Sequence, residues 1–293
     1  MRNRKLKGPR AAEVQNLLPR ERLVLLAYHG SIVHGTYVPS NTSDGIDDKD
    51  LLGVFISPVE HYLGLGRPEV YEAKQDEWDI VCYELRKYVR LLLKSNPNVL
   101  GLLWTPDQYI LCMDDVGALL RANRHIFVSR QAYHSFSGYA YSQLTRMERF
   151  EHQGYMGEKR KALVERHGYD TKNAAHLIRL LRMGIELLTE GELHLVRPDA
   201  AQLVAIKKGE WTLERVKEEA AALFRRAEEA YIHSRLPNRP DQEKIERLLV
   251  ELLSTSLKNT VCDPRPNPSL SAISLSDSPA DSGVQRNRDS LTR

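Results

Sequence analysis

The sequence predicts an α+β fold: a small mixed β-sheet with flanking helices, followed by an α-helical domain. Three observations carry this. Short apolar runs, closed by Gly, Pro or charged residues, fill the stretch up to Leu85, as buried strands do. From about His125 the apolar positions instead recur at the 3.6-residue spacing of amphipathic helices. The length, 293 residues, allows one or two domains of that kind.

The elements follow in order. "RLVLLAYHG" (Arg22–Gly30) reads as a buried strand ending in Gly, and "LLGVFIS" (Leu51–Ser57) as a second, closed by Pro58. "WDIVCYEL" (Trp78–Leu85) is a third and passes into "RKYVRLLLKSN", a largely buried helix broken at Asn96-Pro97. "NVLGLLW" makes another short helix. In "TKNAAHLIRLLRMGIELLTEG" Asp170 or Thr171 caps the start and Gly191 the end. "TLERVKEEAAALFRRAEEAYIH" starts at the N-cap Thr212, and "PDQEKIERLLVELLS" has Pro240 near its start. The expected units are residues 1–124 (mixed), 125–254 (helical) and 255–293. The last is rich in Ser, Asp, Asn, Pro and Arg, lacks aromatics, and reads as a disordered tail.

Composition excludes several classes. At 42% hydrophobic and 28% charged the chain is that of a soluble globular protein. A net charge of +3 says nothing about nucleic acid. No apolar run approaches the roughly 18 residues of a membrane span, and the basic "MRNRKLKGPR" is not followed by the apolar core of a signal peptide. Cys82, Cys112 and Cys262 are far apart and odd in number, which argues against a disulfide framework or zinc cluster and fits the cytoplasm.

The informative stretch is "HGSIVHGTYVPSNTSDGIDDKDLLGVFIS", His29 to Ser57. Asp48 and Asp50, two apart at a strand start, point to one face. Carboxylates so placed repel unless a proton or cation lies between them. Hard divalent ions such as Mg²⁺ are held by one or two carboxylates plus water and substrate phosphate. The plain alternative is a polar loop, since Asp is common in turns. An EF-hand is excluded because its closing glutamate is absent.

The order of motifs favours chemistry: strand, Gly30-Ser31, loop, Asp48-x-Asp50, strand. This resembles the nucleotidyltransferase superfamily of the DNA polymerase beta type. It looks in particular like the predicted bacterial and phage nucleotidyltransferases of the YcgL-like group, whose further glycines Gly35 and Gly53 match. "KSNPNVLGLLW" and the helix after Asp170 resemble the same group, over roughly residues 22–230. One departure is the long spacer: residues 32–47, sixteen in all, separate Ser31 from Asp48. Asp47 therefore competes with Asp48 as the first acid; Asp48 is preferred because 47 and 50 would not share a strand face.

The resemblance implies the following. Gly30 allows close backbone approach and Ser31 with nearby N–H groups holds the triphosphate. Asp48 and Asp50 carry Mg²⁺ or Mn²⁺, and a third acid from a neighbouring strand completes the metal set; Asp79 is preferred, then Glu77. Glu84 is better read as a helix-start residue. Lys172, His176 and Arg179 lie on one helical face and are assigned to the nucleotide, with a solvated face as the alternative. Arg182, Arg160 and Lys161 are weaker candidates. Tyr139, Tyr141 and Gln143 fit packing better than base contacts, and His29 and His34 fit structural roles. The expected substrate is an NTP; the acceptor, RNA, protein or a small molecule, is left open. Alternatives are a degenerate nucleotide- or RNA-binding member, or a toxin or defence enzyme modifying tRNA or protein.

Overall fold

A computed structural model describes residues 14–39, 47–66, 68–148 and 158–261. The basic N-terminal stretch (1–10) and residues 262–293 of the expected tail lie outside the described residues. The sheet has five strands: β1 (Arg22–Tyr28), β2 (Lys49–Ile56), β3 (Val70–Gln75), β4 (Trp78–Glu84) and β5 (Ile110–Met113), in the order β3-β4-β2-β1-β5. It is mixed: β2 and β4 are parallel, and every other pairing is antiparallel. The α+β architecture expected from the sequence is present.

β1, β2 and β4 are the three strands legible in the sequence. β2, the central strand of the five, is buried along almost its whole length, so it reads as a continuous apolar run. β4 alternates buried and half-buried residues, as a strand covered unequally on its two faces should. β3 and β5 are edge strands that the sequence hid. β3, "VYEAKQ", is half polar, and β5, "ILCM", is four residues long. A two-residue turn at Asp76-Glu77, with Asp76 at φ 52°, joins β3 to β4; that left-handed φ suits Asp better than a bulky residue.

The helices are α1 (Val59–Leu63), α2 (Leu85–Leu93), α3 (Pro97–Leu100), α4 (Asp115–Ala122), α5 (Ala132–Glu148), α6 (Glu158–His167), α7 (Thr171–Glu190), α8 (Ala200–Lys207), α9 (Leu213–His233) and α10 (Gln242–Val261). Glu84 is the N-cap of α2, accepting from the N–H groups of Arg86 and Lys87, which accounts for a fully buried carboxylate without chemistry. Asp170 caps α7 through the N–H of Asn173, and Gly191 ends it at φ 75°. Thr212 caps α9. α10 continues to Val261, so positions 255–261, expected in the tail, are helical.

One hydrophobic cluster runs from one sheet face (Val24, Leu52, Val54) through α2 into α5, α7, α9 and α10. α7 is its axis, packed against α5, α8 and α9. The other sheet face is closed by a second cluster of Val14, Leu26, Leu51, Phe55, Ile80 and Leu111. Asp50 and Asp79 precede Leu52 and Val81 by two residues. Strand alternation therefore turns both toward the helical side.

Candidate active site

Topology gathers the motif residues at one end of the sheet. β1 ends there and leaves through His29-Gly30-Ser31, while the parallel β2 and β4 both begin there. The His29 N–H donates to the Asp50 carbonyl at 2.8 Å. Gly30 then turns at φ +60°, and the turn closes with His34 N–H on Gly30 O (3.1 Å) and Thr36 N–H on Ser31 O (2.9 Å). A Cβ on Gly30 would lie 2.6 Å from Asp50 Oδ2. Glycine is thus required twice, by conformation and by contact. Ser31 Oγ is buried with no hydrogen-bond partner among the described residues, which is uncommon for a buried hydroxyl unless a ligand supplies the partner.

The register of the acids separates Asp47 from Asp48. Asp47 is only 2% exposed. It accepts from the Val38 N–H (2.9 Å) and Lys207 Nζ (2.7 Å) through Oδ2, and Oδ1 lies 3.3 Å from Lys172 Nζ. It ties the Gly-Ser loop to α7 and α8, and Lys207 also donates to Thr36 O (2.8 Å). Asp48 points elsewhere, 3.5 Å from Lys74 Nζ.

Asp50 and Asp79 are direct partners across the parallel β2–β4 ladder. On the other side of Asp79, Lys74 is its antiparallel partner on β3, again at 3.5 Å. A row Lys74–Asp79–Asp50 therefore crosses three strands. Burial pushes the Asp50 carboxyl up to about 6; the charges of Asp79, Asp47 and Asp48 push the same way and Lys172 opposes them. Glu77, the other candidate third acid, pairs with Lys49, whose ammonium lies over the Trp78 ring.

α7 lays Lys172, His176 and Arg179 against this end. The Arg179 guanidinium is held by His34 Nε2 (2.7 Å) and Met183 Sδ (3.3 Å), and pairs with no carboxylate among the described residues. Burial lowers its pKa to about 10, with Arg197 adding to the effect. His34 Nδ1 meets the Leu195 carbonyl at 2.8 Å. A carbonyl only accepts, so Nδ1 carries the proton and Nε2 is left to accept from Arg179. Burial, aided by Arg179, keeps His34 neutral and takes His29 down to about 4. His29, Gly30, His34, Asn98, Thr105 and Arg179 line a cleft between the Gly-Ser turn, α3 and α7.

Other candidates lie elsewhere. Arg182 is engaged with Asp199, Gln202 and Glu219. Lys161 is exposed on α6, and the Arg160 side chain lies outside the described residues. Tyr139 accepts from Asn96 (3.0 Å), Tyr141 is exposed and Gln143 is buried; none of the three lines the cleft. Lys74, Lys207, Asn98 and Thr105 were not singled out by sequence. For Lys74 there was a signal: a two-residue turn at Asp76-Glu77 pairs positions 74 and 79.

Among the described residues, no three His, Cys, Asp or Glu side chains are gathered as a ready-made metal-binding group. The donor set nevertheless fits a hard divalent cation in kind. Asp50 is a largely buried carboxyl with a raised pKa, and Asp48, just before β2, and Asp79, on β4, each lie 3.5 Å from Lys74 Nζ.

A mixed sheet that presents a Gly-Ser turn and paired aspartates at adjacent strand ends defines a nucleotidyltransferase-like domain of the DNA polymerase beta class. Residues 9–251 match the model of the RNA repair pathway DNA polymerase beta family (RlaP), and the chain belongs to that family. A solved nucleotidyltransferase-like protein from Exiguobacterium sibiricum 255-15 aligns over 88% of this chain and 80% of its own, at 10% identity and a TM-score of 0.27, too loose an overlay to argue from. No protein of curated function matches. No helix among the described residues is long and apolar enough to cross a membrane.

Proposed function

We propose that the protein transfers a nucleoside monophosphate from an NTP to a hydroxyl acceptor in a divalent-cation-dependent reaction. The observation that carries this is the contact between the phosphate-type turn and the acid: a Cβ on Gly30 would fall 2.6 Å from Asp50 Oδ2. Backbone approach to a phosphate and a carboxylate suited to its counter-ion are thus built side by side.

Asp48, Asp50 and Asp79 would hold Mg²⁺ or Mn²⁺, which supplies charge neutralisation at the phosphates and a more acidic attacking hydroxyl. The chain's own residues do the rest. The Gly30-Ser31 turn and Ser31 Oγ take phosphate oxygens. Lys172 and Arg179 compensate the triphosphate charge from α7, with His176 on the same face. Arg179 suits this because its guanidinium is already desolvated and has no carboxylate partner to leave among the described residues. Asp79, the more exposed acid at 40%, accepts the proton of the attacking hydroxyl. RNA is the favoured acceptor class, because the family is described by an RNA repair pathway. A protein or small-molecule acceptor is the second reading.

The test incubates the protein with each α-labelled NTP, Mg²⁺ or Mn²⁺, and RNA or total cell protein. Label entering RNA is expected, and the Asp48→Asn/Asp50→Asn variant should lose it while keeping its melting temperature. Full activity in that variant would sink the mechanism. Nucleotide binding without transfer to any acceptor would favour a degenerate, binding-only member.

A further inference from the structure

Lys74 stands where a cation is wanted. It lies on the edge strand β3, directly opposite Asp79 in the β3–β4 ladder, and Asp79 is itself opposite Asp50. Its ammonium is 3.5 Å from Asp48 Oδ2 and 3.5 Å from Asp79 Oδ2. It therefore bridges a carboxylate just before β2 and one on β4, both of which the proposed function assigns to a divalent ion. Neither contact is tight, and the lysine side chain is 62% exposed, so little holds the ammonium except the two charges themselves. A flexible four-carbon stem can swing such a group aside at small cost.

We infer that Lys74 is a built-in counter-cation that occupies the gap between Asp48 and Asp79 in the nucleotide-free protein and gives way when a divalent ion enters with the NTP. This rests on the proposed metal reading and adds to it an order of events. A free divalent ion must displace the ammonium unaided, so it binds weakly. An ion arriving with a triphosphate has its own anionic ligands, and the displaced ammonium remains beside that negative charge. Lys74 is then a positioning residue that couples ion entry to nucleotide entry.

The test reads Mn²⁺ binding directly, by electron paramagnetic resonance of free Mn²⁺, without nucleotide and without turnover. Wild type, Lys74→Met, Lys74→Arg and Asp50→Asn are compared as full-length chains. Each exposed ion pair is worth up to about a factor of five, so Lys74→Met should tighten Mn²⁺ about three- to tenfold. Lys74→Arg should stay close to wild type. Unchanged Mn²⁺ affinity in Lys74→Met overturns the inference while a weakened Asp50→Asn leaves the metal reading standing. Mn²⁺ affinity untouched by Asp50→Asn overturns both.

Discussion

Asp50 and Asp79 face each other as Cα partners in the parallel β2–β4 ladder, each at the start of its strand and each turned toward the helical side of the sheet. Two like charges in adjacent register are destabilising in an empty protein; burial is the main cause of the raised Asp50 carboxyl, and the charge of Asp79 adds to it. Such a pair is eased by a proton or a cation between the carboxylates.

Gly30→Ala tests the close approach to Asp50. The substitution places a side chain in the left-handed region and a methyl group 2.6 Å from Asp50 Oδ2. It should cost about 1–2 kcal/mol of stability and displace the carboxylate. Nucleotide transfer should fall far more than the melting temperature does; a fully active Gly30→Ala protein would show that the turn and the acid do not act together.

Asp47 should behave as a structural residue, unlike its neighbour Asp48. Lys207→Met leaves a buried carboxylate with the Val38 N–H and Lys172 as its partners among the described residues and should cost about 3 kcal/mol in denaturant unfolding. Adding Asp47→Asn should restore part of that, since the orphaned charge goes. Equal stability of the single and double variants would mean that the pair is not coupled.

Arg179→Met should separate binding from folding. A buried guanidinium that pairs with no carboxylate among the described residues is costly to the empty protein, so the variant should melt at the same temperature or higher. Its affinity for a fluorescent NTP should drop about tenfold or more, the value of one charge-assisted hydrogen bond. If affinity holds and stability falls, the arginine is structural.

His29 predicts acid sensitivity. Its folded pKa of about 4 lies below the unfolded 6.5, so the unfolded chain binds the extra proton. The stability this site contributes is full above about pH 6.5 and is lost as pH falls through the window down to 4. At about pH 5 the loss from His29 alone is about 2 kcal/mol relative to about pH 7.5. His29→Gln should flatten that slope in denaturant melts; an unchanged slope would assign it to another group, such as His34, which shifts the same way.

Local chemistry made much of this protein legible from its sequence. Gly30-Ser31 after an apolar run, Asp48-x-Asp50 before one, and the caps Asp170, Gly191 and Thr212 all act within a few residues of themselves, so composition and periodicity reveal them. The edge strands β3 and β5 were hidden because a short or half-polar strand takes its stability from the neighbour it pairs with. Only the tertiary structure decided the register. It gave Asp47 to Lys207 and Lys172, set Asp79 opposite Asp50, and brought Lys74 across from Asp79 while Glu77 went to Lys49. Those assignments join residues between 5 and 160 positions apart. They depend on which strands lie side by side and in what alignment, and a slip of one residue would turn every acid to the other face.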